Sequence, residues 1–307
     1  MMSEPLTILF CTKRFHHRME KSTEYLIAEL MKRVNLFIWE QDGDLPAILS
    51  SLSVNPDYIL LNDFKFDYSP RIYGLAASPV PVGAILHEIN HKPYRRKQFY
   101  ERENIQHLFV HYREASLKIL PELKNRFVWF PHHVPVDVFK DYGEAREIDV
   151  LMMGILLKGL NPKRTAFYEQ LKTYPGFVYH EHPGYGSLPA KTMHYVGNTY
   201  ARELARAKIF VTCDSKEKLP LMKYFEALAC RTLLVATASR ELEDLGFIDG
   251  ETYVAADEHT VVEKVKYYLA HQEERERIVN QGYQLILKRH STAQRVDGLV
   301  EFLSELA

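Results

Sequence analysis

Residues 214–237 read DSKEKLPLMKYFEALACRTLLVAT, with KYFEALACR at 223–231. An apolar run at 209–213 (IFVTC) precedes the stretch, and a second at 232–236 (TLLVA) lies inside its end. Both runs are short and have no polar face, the pattern of parallel strands buried on both sides. The residues between them predict a loop and then a helix. Strand, loop, helix and strand in that order make a βαβ unit. The loop and the helix start then lie at the carboxyl end of a parallel sheet, where open α/β folds take ligands. A helix N-terminus there offers unpaired backbone N–H groups and a positive dipole end to a diphosphate. Lys223 adds a formal charge. Glu226, one turn further on, can accept hydrogen bonds from vicinal hydroxyls such as those of a ribose. The alternative for 223–231 is an ordinary amphipathic helix with a solvated Lys and Glu.

The same alternation runs outward in both directions. Strand-like runs stand at 6–11 (LTILFC), 35–39 (NLFIW), 57–61 (DYILL), 80–86 (VPVGAIL), 107–110 (HLFV) and 127–130 (FVWF), with a helix over 21–33. Residues 131–147 (PHHVPVDVFKDYGEARE) break the pattern and read as a linker. A second series follows at 148–153 (IDVLMM), 177–180, 209–213, 232–236 and 252–255. Helices are expected over 273–289 and 292–306, the last capped by Ser291. The fold class is therefore α/β, with two Rossmann-like domains and parallel sheets. Their expected bounds are 1–140 and 141–290, with a C-terminal helix at 291–307.

Composition narrows the function classes. Among 307 residues, hydrophobic types make up 46% and charged types 26%, as in globular proteins generally. No apolar run approaches a membrane span, and no secretory signal is read at the start, so a cytoplasmic location is expected. The three cysteines, Cys11, Cys213 and Cys230, are widely spaced and form no CxxC pair, which argues against a disulfide framework or a cysteine zinc site. A formal net charge of −1 gives no global attraction to nucleic acid or anionic membrane.

Several positions outside the central stretch carry chemistry. Gly154 ends the strand at 148–153, where a missing Cβ lets backbone approach a phosphate. Lys158 and Arg164 follow and can neutralise a leaving diphosphate; the alternative is a plain turn with exposed cations. His87 closes the run 80–86 and suits a hydrogen bond to a sugar hydroxyl; the alternative is a buried structural histidine. His87-Glu88-Ile89-Asn90-His91 also spells the H-E-x-x-H zinc-protease pattern, which needs both histidines one turn apart on a helix. Pro93 and the β-like run before His87 oppose that helix. Two basic stretches remain. Lys92 to Arg102 (KPYRRKQFYER) reads either as a patch for a polyanionic acceptor or as a solvated helix with paired charges. Lys13, Arg14, His16, His17 and Arg18 follow the first strand, a position suited to acceptor contact.

Phe225, Glu226, Ala229 and Cys230, with Lys223 at the basic position, resemble the retaining glycosyltransferases of family 4. They resemble more closely its CgeB-like, spore-maturation branch, with signature (R/K)-x-F-E-x-x-A-C-G. Val196–Gly197, Glu203–Leu204 and Ala207 to Phe210 resemble the elements before that family's donor loop. Pro131, Val134, Asp137 and Phe139 resemble its linker, and Ile85-Leu86-His87 its strand-end histidine. Two positions depart: Lys218 stands where the family has a first glutamate, with Glu217 one residue off, and Arg231 stands at the family glycine.

The resemblance implies a GT-B fold with an interdomain cleft and transfer of a sugar from a nucleoside-diphosphate sugar, a UDP-sugar foremost. It implies retention, no metal, and a last helix returning to the first domain. On this reading His87 and Glu226 serve catalysis. Gly154, Lys158, Arg164, Gly197, Ser215, Lys223, Tyr224, Phe225 and Glu226 hold the donor, and Lys13, Arg14 and His16 face the acceptor. The acceptor (a glycan, protein, small molecule or polyanion) and the oligomeric state are not encoded in any motif. A non-catalytic nucleotide-sugar-binding protein stands as the alternative, and a zinc metalloprotease as the more distant one.

Overall fold

A computed structural model describes residues 5–15, 21–157, 159, 161–182 and 195–306. The chain divides into two compact units. The first holds the initial strand, Ser22–Pro131 and the chain from Arg295 onward; the second holds His132–Gln294.

In the first unit, β1 (Thr7–Cys11), α1 (Ser22–Leu30), β2 (Asn35–Trp39), β3 (Gly43–Asp44), α2 (Leu45–Ser51), β4 (Tyr58–Leu61), β5 (Ile72–Tyr73) and β6 (Val82–Leu86) follow one another. They are continued by α3 (Pro93–Arg102), β7 (His107–Val110), α4 (Arg113–Ile119) and β8 (Phe127–Trp129). Six strands form one parallel sheet in the order β2-β1-β4-β6-β7-β8. The inner strands β1, β4 and β6 are buried along their whole length, whereas the edge strand β2 is partly exposed. That difference is why the inner strands are continuous apolar runs. The pair β3–β5 forms a separate two-stranded sheet whose strands are too short to carry a periodic signal.

The second unit contains β9 (Ile148–Met153), α5 (Pro162–Leu171), β10 (Phe177–His180), α6 (Asn198–Ala205), β11 (Ala207–Val211), α7 (Met222–Ala229) and β12 (Leu233–Ala236). There follow α8 (Arg240–Asp244), β13 (Val254–Ala255), α9 (Val261–Ala270) and α10 (Gln272–Leu285). Its parallel sheet has the order β10-β9-β11-β12-β13. The helix expected over 273–289 ends earlier, because a five-residue π turn, Ile286–His290, replaces its last turn. His290 is buried there and its Nε2 bonds the Leu245 carbonyl oxygen at 2.8 Å. The last helix, α11 (Thr292–Ser304), is capped as expected, the Gln294 N–H donating to Ser291 Oγ at 3.2 Å. Val296, Leu299 and Leu303 of α11 pack with Ile8, Leu26, Leu30 and Leu60 in the first unit's core.

Helix α7 is not the amphipathic surface helix that its Lys and Glu permit, since every residue from Tyr224 to Ala229 is buried. It ends in a Schellman turn: the Arg231 N–H donates to the Leu228 carbonyl and the Thr232 N–H to the Ala227 carbonyl. The turn needs a left-handed residue, and Arg231 takes it with φ +54. Its side chain makes surface contacts: it lies 5.4 Å over the Tyr283 ring and 4.0 Å from Asp141, and it donates to the Asn280 side-chain oxygen. A left-handed residue with a Cβ costs about 1–2 kcal/mol. Arg231→Gly is therefore expected to stabilise the second unit by about 1 kcal/mol, read as a higher midpoint in thermal unfolding followed by circular dichroism; a lower midpoint would show that the surface contacts outweigh the strain.

Candidate functional site

In the second unit the chain moves outward from β9 to β10 and then in the opposite direction from β11 to β12. The sheet order thus reverses between β9 and β11, and their carboxyl ends flank the crevice where such sheets take ligands. Gly154 makes the turn after β9 at φ +144. A Cβ there would lie 2.8 Å from Arg164 Nη1 and 3.1 Å from Lys223 Nζ. The absent side chain is what lets both cations close on the turn.

Arg164, in the first turn of α5, is 4% exposed. Its Nη1 donates to the Ile155 carbonyl at 3.4 Å, and its Nε has no hydrogen-bond partner among the described residues. Lys223 donates Nζ to the Met153 carbonyl at 2.7 Å. Among the described residues neither cation forms an ion pair. Burial and then the Arg164 charge bring the Lys223 ammonium down to about 7, against an opposing pull from Glu226 and Cys213. His182, just beyond β10, is held down to about 4 by burial and then by Lys223 and Arg164. It belongs to this cluster and carries no motif; the only sequence signal for it is its place after a strand next to β9. Asp214, after β11, is buried and paired with Lys163 at 3.1 Å.

The remaining donor-side residues are distributed differently. Glu226 is buried beside Tyr200, whose phenol is pushed well above its ordinary range by burial and then by the Glu226 charge. Tyr224 and Phe225 were expected at the donor, but their side chains are core groups. The Tyr224 hydroxyl is 2.9 Å from Thr237 Oγ1, and the Phe225 ring packs on Phe247 and His290. Ser215 Oγ accepts the N–H groups of Glu217 and Leu219 at 3.3 and 3.4 Å, shaping its own loop. In that loop Lys218 is exposed at φ +59, and exposed Glu217 bonds Ser215. Gly197 opens α6 at φ +54. Lys158 lies outside the described residues.

In the first unit the sheet order reverses between β1 and β4. Thr12 and Asn62 follow these strands, and His87 follows β6. His87 Nε2 lies 2.7 Å from Asn62 Oδ1, its ring stacks on Tyr68 at 4.4 Å, and its backbone N–H donates to Asp63 Oδ2 at 3.0 Å. Burial and then the His111, Arg96 and Lys65 charges hold its imidazole well below the ordinary range, so it is neutral at physiological pH. The H-E-x-x-H pattern forms no helix: β6 ends at Leu86 and 87–92 are turn residues up to Pro93. The zinc-protease geometry is therefore absent from this segment. Among the described residues no group of three His, Cys, Asp or Glu side chains is placed to hold a metal ion.

The basic stretches are largely neutralised. Arg14 bonds Glu40 at 2.7 Å and Lys13 lies 4.0 Å from Asp42; His16 lies outside the described residues. In α3, Lys97 pairs with Glu122 and Arg102 with Glu103, as a solvated helix requires. Arg96 departs from that picture. It is fully buried and bonds Asp63 at 2.6 Å.

Residues 164–301 match a family model described as glycosyl transferase-like. No curated protein matches the sequence. Among solved structures, a glycosyltransferase from Rickettsia africae superposes with a TM-score of 0.65 at 10% identity, covering 99% of each chain. Anabaena Alr3699/HepE in complex with UDP-glucose gives 0.67 at 11%, covering 97% of this chain and 99% of the other. The sucrose-phosphate synthase of Thermosynechococcus elongatus gives 0.62 at 12%, covering 85% and 76%. The chain has the GT-B fold. The second unit of this GT-B protein carries most of the glycosyl transferase-like match, which begins at Arg164 and takes in Lys223 and Glu226. Among the described residues no helix of this GT-B protein is long and apolar enough to cross a membrane.

Proposed function

We propose that the protein is a glycosyltransferase that takes a UDP-sugar on its second unit and transfers the sugar to an acceptor hydroxyl. The observation that carries this reading is the buried Arg164 guanidinium beside Lys223, both closed on Gly154 with no ion-pair partner among the described residues. Two adjacent, poorly solvated cations are costly unless an anion joins them. A diphosphate is such an anion, and the N-terminus of α7 adds dipole to charge.

In this reading the bond from the sugar carbon to the diphosphate oxygen breaks, and Arg164 and Lys223 stabilise the charge left on the nucleoside diphosphate. Lys158 is assigned to the same role. These groups supply positive charge at the leaving group, so the reaction is proposed to run without a metal. Glu226 holds the ribose, Gly197 and Ser215 shape the donor loop, and His87 bonds a sugar hydroxyl. Lys13, Arg14 and His16 are assigned to the acceptor side, whose chemical class is open. Retention, hexosyl transfer and membership of the CgeB-like branch rest on the signature at 223–231. Domain bounds of 1–140, 141–290 and 291–307 and a cytoplasmic location belong to the same reading.

The test is titration of UDP-glucose across pH, with GDP-, ADP- and dTDP-sugars alongside. Below about pH 7 Lys223 is already charged in the free protein, so affinity is expected to be flat. Above that point binding must recharge it, and affinity falls by up to about tenfold per pH unit. Failure of every nucleotide sugar to bind at millimolar concentration would remove the assignment. Slow donor hydrolysis without acceptor marks an enzyme. Binding without any hydrolysis favours a non-catalytic nucleotide-sugar-binding protein, a reading kept open by exposed Lys218 at the family glutamate position.

A further inference from the structure

A chain of hydrogen bonds behind His87 has a fixed direction. The Thr12 hydroxyl lies 3.1 Å from the Lys13 carbonyl oxygen and 3.4 Å from that of Tyr68. Carbonyl oxygens only accept, so Thr12 Oγ1 donates to one of them and has only lone pairs left for Asn62. Asn62 must therefore turn its amide nitrogen toward Thr12, and Nδ2 indeed donates to Thr12 Oγ1 at 2.9 Å and to Thr23 Oγ1 at 3.0 Å. That orientation leaves Asn62 Oδ1 facing His87. An amide oxygen also only accepts, so at 2.7 Å the proton lies on His87 Nε2. The imidazole is neutral, and its Nδ1 is then a lone pair, with no hydrogen bond from any described residue.

We propose that Asn62 is a positioning residue that fixes His87 in the Nε2–H tautomer, so that Nδ1 accepts a hydrogen bond from a substrate hydroxyl. The hydroxyl role rests on the transferase reading above; the tautomer does not. Asn62 is fully buried and lies after β4, and Thr12 lies after β1. The relay therefore spans the point where the first sheet reverses order, the position at which such sheets meet ligands. A histidine free to exchange tautomers would offer a hydroxyl a donor for part of the time. The anchored one offers only an acceptor, which selects a ligand group able to donate. The charged and titratable groups around the ring are Tyr68, stacked on it at 4.4 Å, and His111, Arg96, Lys65 and Asp63; the described hydrogen bonds of His87 run from its backbone N–H and Nε2, and none reaches Nδ1.

The experiment is nitrogen-15 NMR of histidine-labelled, ligand-free protein, with the His87 signals assigned by their loss in His87→Gln. The wild type is expected to show a protonated Nε2 and an unprotonated Nδ1. Asn62→Leu is expected to lose that single tautomer, giving a mixture or the Nδ1–H form. Should Asn62→Leu fail to fold, Asn62→Asp keeps an acceptor at the same place. It should retain the Nε2–H tautomer while raising the pH at which the ring takes its second proton. A wild-type proton on Nδ1, an unchanged tautomer in Asn62→Leu, or an Nδ1–H form in Asn62→Asp would each overturn the proposal. None of these readings requires a sugar donor, so they stand or fall apart from the transferase assignment.

Discussion

On the proposed donor reading, Arg164→Met is expected to weaken UDP-glucose binding by about 10–150-fold and to leave the protein at least as resistant to unfolding. The first effect follows from the loss of a charge-assisted bond worth about 1.5–3 kcal/mol. The second follows from its surroundings. Arg164 is 4% exposed, its Nε has no partner among the described residues, and Lys223 lies against the same turn. A buried cation in that position opposes folding, and an apolar side chain of similar volume removes the penalty. Binding measured by calorimetry and unfolding measured in urea should therefore move in opposite directions. A structural arginine would behave otherwise: its loss would lower stability, and any fall in affinity would follow from damage to the fold.

Arg96→Met has the contrary expectation, a loss of about 3–5 kcal/mol from the first unit. Here the guanidinium is paired. It bonds Asp63 at 2.6 Å and the Tyr100 hydroxyl and Glu88 carbonyl at 2.9 Å each, with both charged side chains wholly buried. Removing one partner leaves the Asp63 carboxylate buried and uncompensated. Asp63 cannot simply be made apolar, because it also accepts the backbone N–H groups of Phe64, Lys65 and His87. Its backbone is left-handed at φ +86, a conformation that Asn tolerates. Asp63→Asn combined with Arg96→Met should therefore recover much of the loss. Both tryptophans, Trp39 and Trp129, belong to the first unit, so urea unfolding followed by their fluorescence reports on this unit. A single variant as stable as the wild type would show that the pair contributes nothing.

The two expectations divide along a line that sequence only partly draws. Buried parallel strands announce themselves, because a strand covered on both faces has almost no polar position; β4 and β6 were legible for that reason, and β1 and β9 as apolar runs with a single polar residue near the start, Thr7 and Asp149. Gly154, Arg164 and Lys223 were legible as separate candidates, but only folding brings 154, 164 and 223 to one turn. Arg96 was not legible. In KPYRRKQFYER it looks like its neighbours, and what distinguishes it is Asp63, a partner 33 positions away. Tyr224 and Phe225 sit inside the most motif-like stretch of the chain, yet their side chains serve the core. A motif records that a segment is constrained without separating contact with ligand from contact with the interior. Arg231 makes the related point that a turn can persist after its favoured glycine is replaced, at a cost carried by the backbone. His182 and Asn62 act through groups distant in sequence and leave no local pattern.

The return of α11 to the first sheet also bears on how the protein is made. Val296, Leu299 and Leu303 complete a core whose other members are translated before residue 131. Some 160 residues separate Pro131 from Arg295. At ordinary elongation rates of about 5–20 residues per second, the ribosome needs roughly 8–30 s to supply them. Throughout that interval Ile8, Leu26, Leu30 and Leu60 lack their covering helix. The main segment of the second unit, His132–Gln294, is synthesised in full before α11, so this unit can finish folding before the first unit's core is closed.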